Sequence, residues 1–404
     1  MIHVCYAFTD QKGTYCQLVG ASIASLLSNT EQAVTVHIIH DNTLSHKNHD
    51  NFRVLAEKFH ANFIYYDIYS ICGEYLAAIR KEIQSVLNVR LTIGALYRLL
   101  IPRILELERV IYLDGDTIVN LDISALWNED LDNYAIGAVA EKDATCGHSM
   151  PQHLTELGIT TEDTYFCSGV LLLDILKLRE QGDIIGKGIA FLKEHPKCFL
   201  MDQDILNYFF SGSYKHLNAI YDIFVGPQKR FRRAGKLDNT IMPGIFHYAG
   251  SELSVFPAYD ISNILWIYFL SMTPWFTHDF YSKTLMAVNR KIEDNHVIMA
   301  DFISTILTTQ PVFVYSEDYI SQDTIRENYP FVKDFKFVKF ENIEAVLKLV
   351  NCIIVCFVLP NEYTNIRIAL MQTGRTEGRD FINGLLLFKD NAFINEFYLI
   401  QYGK

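Results

Sequence analysis

Two carboxylates stand two positions apart in the stretch VIYLDGDTIV, residues 110–119. Side chains at positions i and i+2 of an extended segment point to the same side, so Asp114 and Asp116 can reach one ion, and Gly115 lets the backbone approach closely. Carboxylate oxygens suit hard cations such as Mg²⁺ or Mn²⁺. The same letters also fit a hairpin, because Asp-Gly between two strands is a strong turn signal. These residues alone favour the metal site and the hairpin equally.

A phosphatase of the haloacid-dehalogenase type is a third interpretation of this stretch, with Asp114 as the nucleophile. In that motif one residue separates the second aspartate from a threonine, whereas Thr117 follows Asp116 directly. The motif also usually lies on the first strand of its domain, and this strand is not the first. The phosphatase is therefore the weaker alternative.

Three further stretches carry residues that could act with the aspartates. YRLLIP (97–102) places Arg98 in an apolar helix, MDQDILNYFF (201–210) opens with Asp202 and Asp204, and FHYAG (246–250) contains His247. Each has an ordinary structural explanation as well: an arginine paired with a carboxylate, an aspartate that caps a helix, and a core histidine with its hydrogen bonds satisfied. Taken singly, none of them decides the function.

Apolar periodicity predicts the elements that position these residues. In the N-terminal part it predicts strands over 2–8, 33–40 and 61–68 and helices over 15–27 and 52–60. Nearly continuous apolar strands that alternate with helices indicate an α/β fold with a parallel sheet covered on both faces. A helix over about 91–105 precedes the strand VIYLD. The aspartates thus lie just past the carboxyl end of a central strand, where open α/β sheets bind ligands.

The remainder of the chain divides into two parts. Strands over 134–140 and 169–175 and helices over 184–194 and 203–210 continue the first part, which also contains a basic loop, 226–240. Later segments read as strands over 311–316, 335–340 and 352–359 and helices over 343–350 and 364–374. We expect one domain over residues 1–275 and a smaller α/β add-on domain over residues 276–404.

Composition narrows the class of protein. The formal net charge of −12 argues against a general nucleic-acid binder, so we expect no nucleic-acid partner. The eight cysteines form no CxxC pair, and a strand-like run begins almost at Met1 in place of a signal peptide. No apolar run reaches the roughly 20 residues that span a bilayer. We therefore expect a reduced, cytoplasmic protein without a transmembrane segment.

Taken in order, VCYAFTDQ, YRLLIP, YLDGDTIV, FCSGVLLLDI, MDQDILNYFF and HYAG resemble glycosyltransferase family 8 over roughly residues 1–275. The resemblance implies a Rossmann-like GT-A fold and transfer of a sugar from a UDP-sugar with retention of the anomeric configuration. It also favours the metal site over the hairpin. By resemblance, Asp114, Asp116 and His247 are the metal ligands, with Mn²⁺ as the expected ion and Mg²⁺ as the alternative.

The resemblance also assigns the donor-binding positions, which are Ala7, Thr9, Gln11, Arg98, Asp114, Asp116, Asp202, Gln203, His247 and Gly250. Ala7 and Thr9 fall where uracil is contacted, and Gln11 falls where ribose is contacted. The catalytic pair is Gln203, near the anomeric carbon, and Asp202, which would hold a sugar hydroxyl.

Three positions depart from the family pattern. Cys167 stands where asparagine is frequent, Thr9 stands where an acidic residue is frequent, and Leu253 stands where a lysine grips the diphosphate. A set of basic loop residues could replace that lysine, or could form a solvated surface: Lys229, Arg230, Arg232, Arg233 and Lys236. The missing lysine favours a second hypothesis, a non-catalytic protein that binds a sugar nucleotide and assists a partner transferase.

A GT-A core followed by a small α/β domain resembles the transferases that extend O-glycans on bacterial serine-rich repeat adhesins. That resemblance implies a UDP-hexose donor, with galactose or glucose as the sugar, and a glycosylated protein as the acceptor. It also implies partner glycosyltransferases. Lipopolysaccharide or another surface polysaccharide is the alternative acceptor.

Overall fold

The structure is a computed structural model of the 404-residue chain. It describes residues 1–83, 93–141, 152–161, 163–195, 200–224, 243–248, 261–280, 282, 301, 304–306, 308–317, 319–329, 332, 334–349 and 351–384. The chain divides into two compact units, Met1–Thr284 and Leu285–Lys404.

The first unit alternates strands and helices along the chain. Its strands are β1 (Ile2–Phe8), β2 (Val34–His40), β3 (Asn62–Asp67), β4 (Arg109–Leu113), β5 (Thr117–Asn120), β6 (Ile136–Ala140), β7 (Phe166–Asp174), β8 (Lys215–His216), β9 (Ile223–Phe224) and β10 (Gly244–His247). Its helices are α1 (Tyr15–Asn29), α2 (His46–Phe59), α3 (Ile68–Ile83), α4 (Ile101–Ile104), α5 (Ser124–Trp127), α6 (Gln152–Glu156), α7 (Ile175–Glu180), α8 (Ile184–Glu194), α9 (Asp202–Phe210) and α10 (Ile261–Leu270). Short 3₁₀ helices cover Ile93–Leu100 and Ala219–Tyr221.

Seven of the described strands form one sheet in the order β3-β2-β1-β4-β7-β6-β8. Strands β3, β2, β1 and β4 are parallel to one another, whereas β7 is antiparallel to both β4 and β6. The prediction of a parallel sheet, made from the strands of the N-terminal part, is confirmed for β1, β2, β3 and β4, whereas the antiparallel direction of β7 was not predicted. The physical reason is that β7 is buried along nearly its whole length, so its continuous apolar pattern carries no information about direction.

A second, three-stranded sheet in the order β5-β10-β9 meets the end of β4. Strand β5 pairs with β10, while β4 pairs with β1 and β7. The residues Asp114, Gly115 and Asp116 thus link two different sheets, so the hairpin interpretation is wrong. They lie just past the carboxyl end of β4, which is the fourth of the seven strands in the larger sheet.

Apolar side chains are buried on both faces of the larger sheet. Tyr112 and Leu171 belong to one apolar cluster, and their chain neighbours Ile111 and Leu172 belong to another. This alternation follows from the period of two along a strand. The helix predicted over about 91–105 is instead a 3₁₀ helix followed by the single turn α4, because Pro102 has no amide hydrogen to continue an α-helical ladder.

The second unit contains a four-stranded parallel sheet in the order β12-β11-β13-β14. These strands are β11 (Val312–Tyr315), β12 (Lys336–Lys339), β13 (Ile354–Phe357) and β14 (Phe381–Asn383). The described helices are α11 (Gln322–Asn328), α12 (Ile343–Leu347) and α13 (Pro360–Gln372), with a 3₁₀ turn at Phe340–Asn342. Among the described residues of both units, no helix has the length and apolar character needed to cross a membrane.

Candidate metal centre

The backbone around the two aspartates is fixed from both sheets. The Asp114 amide donates to the Gly169 carbonyl of β7 at 2.8 Å, and the Tyr248 amide donates to the Asp116 carbonyl at 2.9 Å. The Thr117 hydroxyl donates to the Asp114 carbonyl at 2.8 Å, which closes the turn. The carboxylate pair is therefore held on a rigid junction between the two sheets.

Position 115 has no room for a side chain larger than that of glycine. A Cβ atom at this position would lie 2.7 Å from Cγ2 of Val19 and 2.8 Å from Cε1 of Tyr15, both on helix α1. The sequence predicted a close approach to the backbone at this glycine. The structure shows that helix α1 makes that approach, which packs the junction against the first layer of helices.

His247, the last residue of β10, brings its imidazole to the two carboxylates. Its Nε2 lies 3.6 Å from Asp116 Oδ1 and 3.8 Å from Asp114 Oδ2. One ligand atom from each of the three residues lies within 4.8 Å of the others. With metal–ligand bonds of about 2.1 Å, two ligands of one ion stand at most about 4.2 Å apart. The three residues, called the carboxylate site below, fit one hard divalent cation after a small contraction.

The opposite edge of the His247 ring is held in place. Its Nδ1 lies 3.0 Å from Asp222 Oδ1, and Asp222 is fully buried. The Phe224 ring meets the imidazole edge to face at 5.5 Å between centroids. A Cβ atom on Gly169 would lie only 2.1 Å from Cε1 of the ring. These contacts fix the ring so that Nε2 faces the two aspartates, an arrangement in which a carboxylate orients a metal-binding histidine.

Asp222 and Gly169 were missed at the sequence level. Asp222 lies in the otherwise apolar stretch AIYDIF. This pattern could have indicated a buried aspartate, and a buried charge needs a partner. Gly169 had no such signal, because its contact with His247 joins strands that are far apart in sequence.

Charge interactions shift the pKa values of the three residues. Burial raises the pKa of Asp114, although the Arg98 guanidinium opposes this. Burial also acts to raise the pKa of Asp116, but the hydrogen bond and charge of His247 outweigh it, so the pKa falls below its ordinary value. Burial acts to lower the pKa of His247, and the Asp222 carboxylate and the hydrogen bond to Asp116 together raise it well above its ordinary value. Both Arg98 and His247 thus favour the charged form of the neighbouring carboxylates.

Arg98 bridges the carboxylate site and the start of helix α9. Its guanidinium lies 2.8 Å from Asp114 Oδ1 and 3.0 Å from Asp202 Oδ2, and it donates to the Ser168 carbonyl at 2.7 Å. It also stacks on the Tyr112 ring at 4.7 Å. The ordinary explanation, an arginine paired with carboxylates, describes this geometry. A contact with a donor remains a prediction.

Asp202 and Gln203 open helix α9 beside this bridge. Gln203 accepts a hydrogen bond from the Ser168 amide at 3.0 Å and donates to the Tyr165 hydroxyl at 3.1 Å. Burial raises the pKa of Asp202 to about 6, although Arg98 opposes this shift. Helix α9 begins at Asp202 with Met201 in the cap position, so Asp202 is not the cap. Asp204 has a structural role, because it accepts from the Leu200 amide at 2.9 Å.

The predicted nucleoside contacts lie at the end of β1. Strand β1 pairs with β4 at Cys5 and Tyr112, and Ala7 lies two residues further along β1, toward the end at which Asp114 follows β4. The Thr9 hydroxyl lies 3.2 Å from that of Thr43, and Gln11 is exposed in the following turn. Gly250, Leu253 and the basic loop 226–240 lie outside the described residues.

An open α/β sheet with a carboxylate pair and a histidine beyond the carboxyl end of a central strand agrees with the GT-A fold that the motif resemblance implies. The profile of the family described as "Glycosyl transferase family 8" matches residues 4–252. The chain belongs to this family, and the prediction made from the ordered motifs is confirmed.

Individual relatives agree with this assignment. The chain is 27% identical over 253 residues to General stress protein A of Bacillus subtilis (strain 168), which covers 59% of this chain and 82% of that protein. It is 28% identical over 177 residues to "Glycosyltransferase GlyF" of Streptococcus pneumoniae serotype 4, or 43% of this chain and 40% of GlyF. A crystal structure of LgtC, an active-site mutant, superimposes with a TM-score of 0.56 at 17% identity, covering 70% of this chain and 100% of LgtC. LgtC thus shares the fold.

Proposed function

We propose that the protein transfers a hexose from a UDP-sugar to a glycan acceptor, with retention of configuration, and depends on a divalent metal. The observation that carries this proposal is the convergence of Asp114, Asp116 and Nε2 of His247 at the carboxyl end of β4. These residues would hold Mn²⁺, with Mg²⁺ as the alternative, because carboxylate oxygens and one imidazole suit such an ion. The ion would neutralise the charge that develops on the departing diphosphate.

The chain's own residues would position the donor sugar around this point. Ser168 and Tyr165 hold the Gln203 amide at both ends, so it has a fixed orientation. Arg98 ties Asp202 to Asp114, and this couples the sugar-binding end of the site to the diphosphate-binding end. A site that is rigid before the donor arrives loses little conformational entropy on binding. We propose Gln203 beside the anomeric carbon and Asp202 on a sugar hydroxyl.

The nucleoside is proposed to lie along the end of β1, against Ala7, Thr9 and Gln11. Strands β1 and β4 are parallel neighbours, and Ala7 and Asp114 both lie toward the carboxyl ends of these strands, which supports placing a uridine next to a diphosphate at the carboxylate site. Gly250 follows β10 in sequence and is proposed to border the donor. Thr9 replaces the acidic residue frequent in the family, so the proposal predicts a neutral hydroxyl contact to the base.

The acceptor is proposed to be an O-glycan on a serine-rich protein. We propose residues 1–275 as the transferase domain and residues 276–404 as the add-on domain, which would bind acceptor or partner transferases. The six cysteines that the structure describes are free thiols, which is compatible with the proposed cytoplasmic location. A surface polysaccharide remains the alternative acceptor.

Donor hydrolysis tests the proposed chemistry. The purified protein is incubated with UDP-galactose, UDP-glucose, UDP-N-acetylglucosamine and UDP-N-acetylgalactosamine, and free UDP is measured with Mn²⁺ and with EDTA. We expect Mn²⁺-dependent release from UDP-galactose or UDP-glucose. Asp116→Asn should abolish it, whereas Asp122→Asn should not, because Asp122 follows β5 and accepts hydrogen bonds from Ser124 and from the Glu31 backbone, away from the three proposed ligands.

The second hypothesis, a non-catalytic sugar-nucleotide-binding partner, rests on Leu253 in place of the family lysine. UDP binding without UDP release, with and without a glycosylated peptide acceptor, would support it. Release that appears only with the acceptor would support the transferase instead.

A further inference from the structure

A second group of ligand-type side chains lies behind His247, on the side away from the two aspartates. Cys167, Asp222 and Nδ1 of His247 bring a sulfur, an oxygen and a nitrogen within 4.8 Å of one another. Nδ1 lies 3.7 Å from Cys167 Sγ and 3.0 Å from Asp222 Oδ1. All three residues are buried, with exposed fractions of 3%, 0% and 4%. This group is called the inner site below.

The spacing of the inner site fits a tetrahedral zinc ion. With Zn–S bonds of about 2.3 Å and Zn–N or Zn–O bonds of about 2.1 Å, tetrahedral geometry puts sulfur and nitrogen about 3.6 Å apart, and nitrogen and oxygen about 3.4 Å apart. The observed distances of 3.7 and 3.0 Å differ from these by a few tenths of an ångström at most. Thiolate with imidazole selects a soft or borderline cation over Mg²⁺ or Mn²⁺.

The inner site also contains an unpaired carboxylate oxygen. Asp222 Oδ2 has no hydrogen-bond partner among the described residues, and the residue is fully buried. A buried carboxylate oxygen without a partner is unfavourable, because burial removes its hydration and no hydrogen bond replaces it. A cation bound between this carboxylate and the thiol would satisfy that oxygen. This observation is independent of the ligand spacing.

We propose that Cys167, Asp222 and Nδ1 of His247 form a second metal site, which takes a thiophilic divalent cation of the Zn²⁺ class. The two sites share one imidazole. When a metal occupies Nδ1, a neutral imidazole keeps its hydrogen on Nε2, which then cannot bind a metal at the carboxylate site. Occupation of the inner site therefore excludes the hard cation. If the proposed function holds, Zn²⁺ inhibits the transferase by this exclusion.

Cadmium spectroscopy on the purified full chain tests the inner site directly. Cd²⁺ bound to a thiolate gives a charge-transfer band in the ultraviolet, and difference spectra isolate the contribution of one cysteine. We expect wild type and Asp116→Asn to show a band that Cys167→Ser lacks. Cys352→Ser, which removes a half-buried thiol of the second unit, is the matched control and should keep the band. Identical spectra for wild type and Cys167→Ser would overturn the proposal.

Asp222→Asn provides a second variant that retains every thiol. We expect it to weaken Cd²⁺ binding at least about tenfold, the lower end of what losing even an outer partner of a metal ligand costs. Thermal unfolding of each variant shows whether it is folded. A folded Asp222→Asn protein with unchanged Cd²⁺ affinity contradicts the inner site. Loss of the band in a folded Asp116→Asn protein contradicts it too, because Asp116 is not a ligand of the inner site.

Competition between metals tests the exclusion. Bound Mn²⁺ is followed by electron paramagnetic resonance while Zn²⁺ is added. We expect Zn²⁺ to displace Mn²⁺ from wild type at a concentration at least about tenfold lower than from Cys167→Ser. If the same Zn²⁺ concentration displaces Mn²⁺ from wild type and from Cys167→Ser, Zn²⁺ enters the carboxylate site directly and the exclusion is refuted. Neither experiment uses a donor sugar, so their outcome is independent of whether UDP-sugar turnover is found.

Discussion

Gly169→Ala tests the claim that backbone packing aims His247 at the two aspartates. The new Cβ would lie 2.1 Å from Cε1 of the ring, whereas ordinary van der Waals contacts begin near 3.4 Å. The ring must therefore move by more than 1 Å. Nε2 already stands 3.6 and 3.8 Å from the carboxylate oxygens, against an upper limit of about 4.2 Å for two ligands of one ion. The required movement of the ring is larger than the difference between these two distances and that limit.

We expect Gly169→Ala to weaken Mn²⁺ binding about 10- to 100-fold, which corresponds to about 1.4–2.7 kcal/mol. Overpacking of this kind costs about 1–3 kcal/mol of folding stability, so the variant should remain folded. Isothermal titration gives the Mn²⁺ affinity, and urea unfolding gives the stability. Unchanged Mn²⁺ affinity in a folded variant would refute the claim that close packing at Gly169 orients the His247 ring.

Gly188→Ala is the matched control for this experiment. Its Cβ would lie 2.5 Å from Cγ2 of Ile205, in the apolar core between helices α8 and α9. The substitution and the steric conflict are of the same kind, but neither Gly188 nor Ile205 belongs to the carboxylate site. Stability should therefore fall while Mn²⁺ affinity stays as in wild type. Equal loss of Mn²⁺ affinity in both variants would mean that general destabilisation explains the effect.

Three further outcomes follow from the same geometry. Asp222→Asn removes the charge that orients His247, and should lower Mn²⁺ affinity about 10- to 100-fold by calorimetry; an unchanged affinity contradicts the orienting role. Burial raises the pKa of Asp202 to about 6, so the folded protein holds that proton to a higher pH than the unfolded chain. Wild type should accordingly lose up to about 3 kcal/mol of stability relative to Asp202→Asn as the pH rises from about 4 to about 6, and parallel curves in urea titrations would contradict this. Gly115→Ala, which would collide with Tyr15, should cost about 1–3 kcal/mol in the same titrations, and a neutral effect would contradict the packing.

The sequence predicted the carboxylate site because its signals are local. Asp114 and Asp116 stand two positions apart after an apolar strand, although the backbone turns between them where an extended segment was expected. The motif order identified His247 as the third member of the set. The structure brings these three side chains together across two sheets. The roles of these residues as metal ligands stay predictions, which the metal titrations above would test.

The features that the sequence did not reveal depend mainly on contacts between residues that are far apart in sequence. Asp222 is 25 residues from His247, and only the pairing of β9 with β10 brings them together. The reversed direction of β7 has no local signal, because a strand buried on both faces looks the same in either direction. Helix α3 was not predicted, and its helical geometry is interrupted at Cys72. Helix α2 begins at His46, capped by the Ser45 hydroxyl, although the apolar pattern indicated a start near residue 52.

The most direct test of the central claim is the affinity of UDP measured by isothermal titration in Mn²⁺ and in EDTA. We predict that Mn²⁺ strengthens UDP binding at least about tenfold, or about 1.4 kcal/mol, because the ion links the carboxylate site to the diphosphate. The gain should disappear in Asp116→Asn. Equal UDP affinity in Mn²⁺ and EDTA for the wild-type protein would contradict a metal-dependent nucleotide-sugar site formed by Asp114, Asp116 and His247.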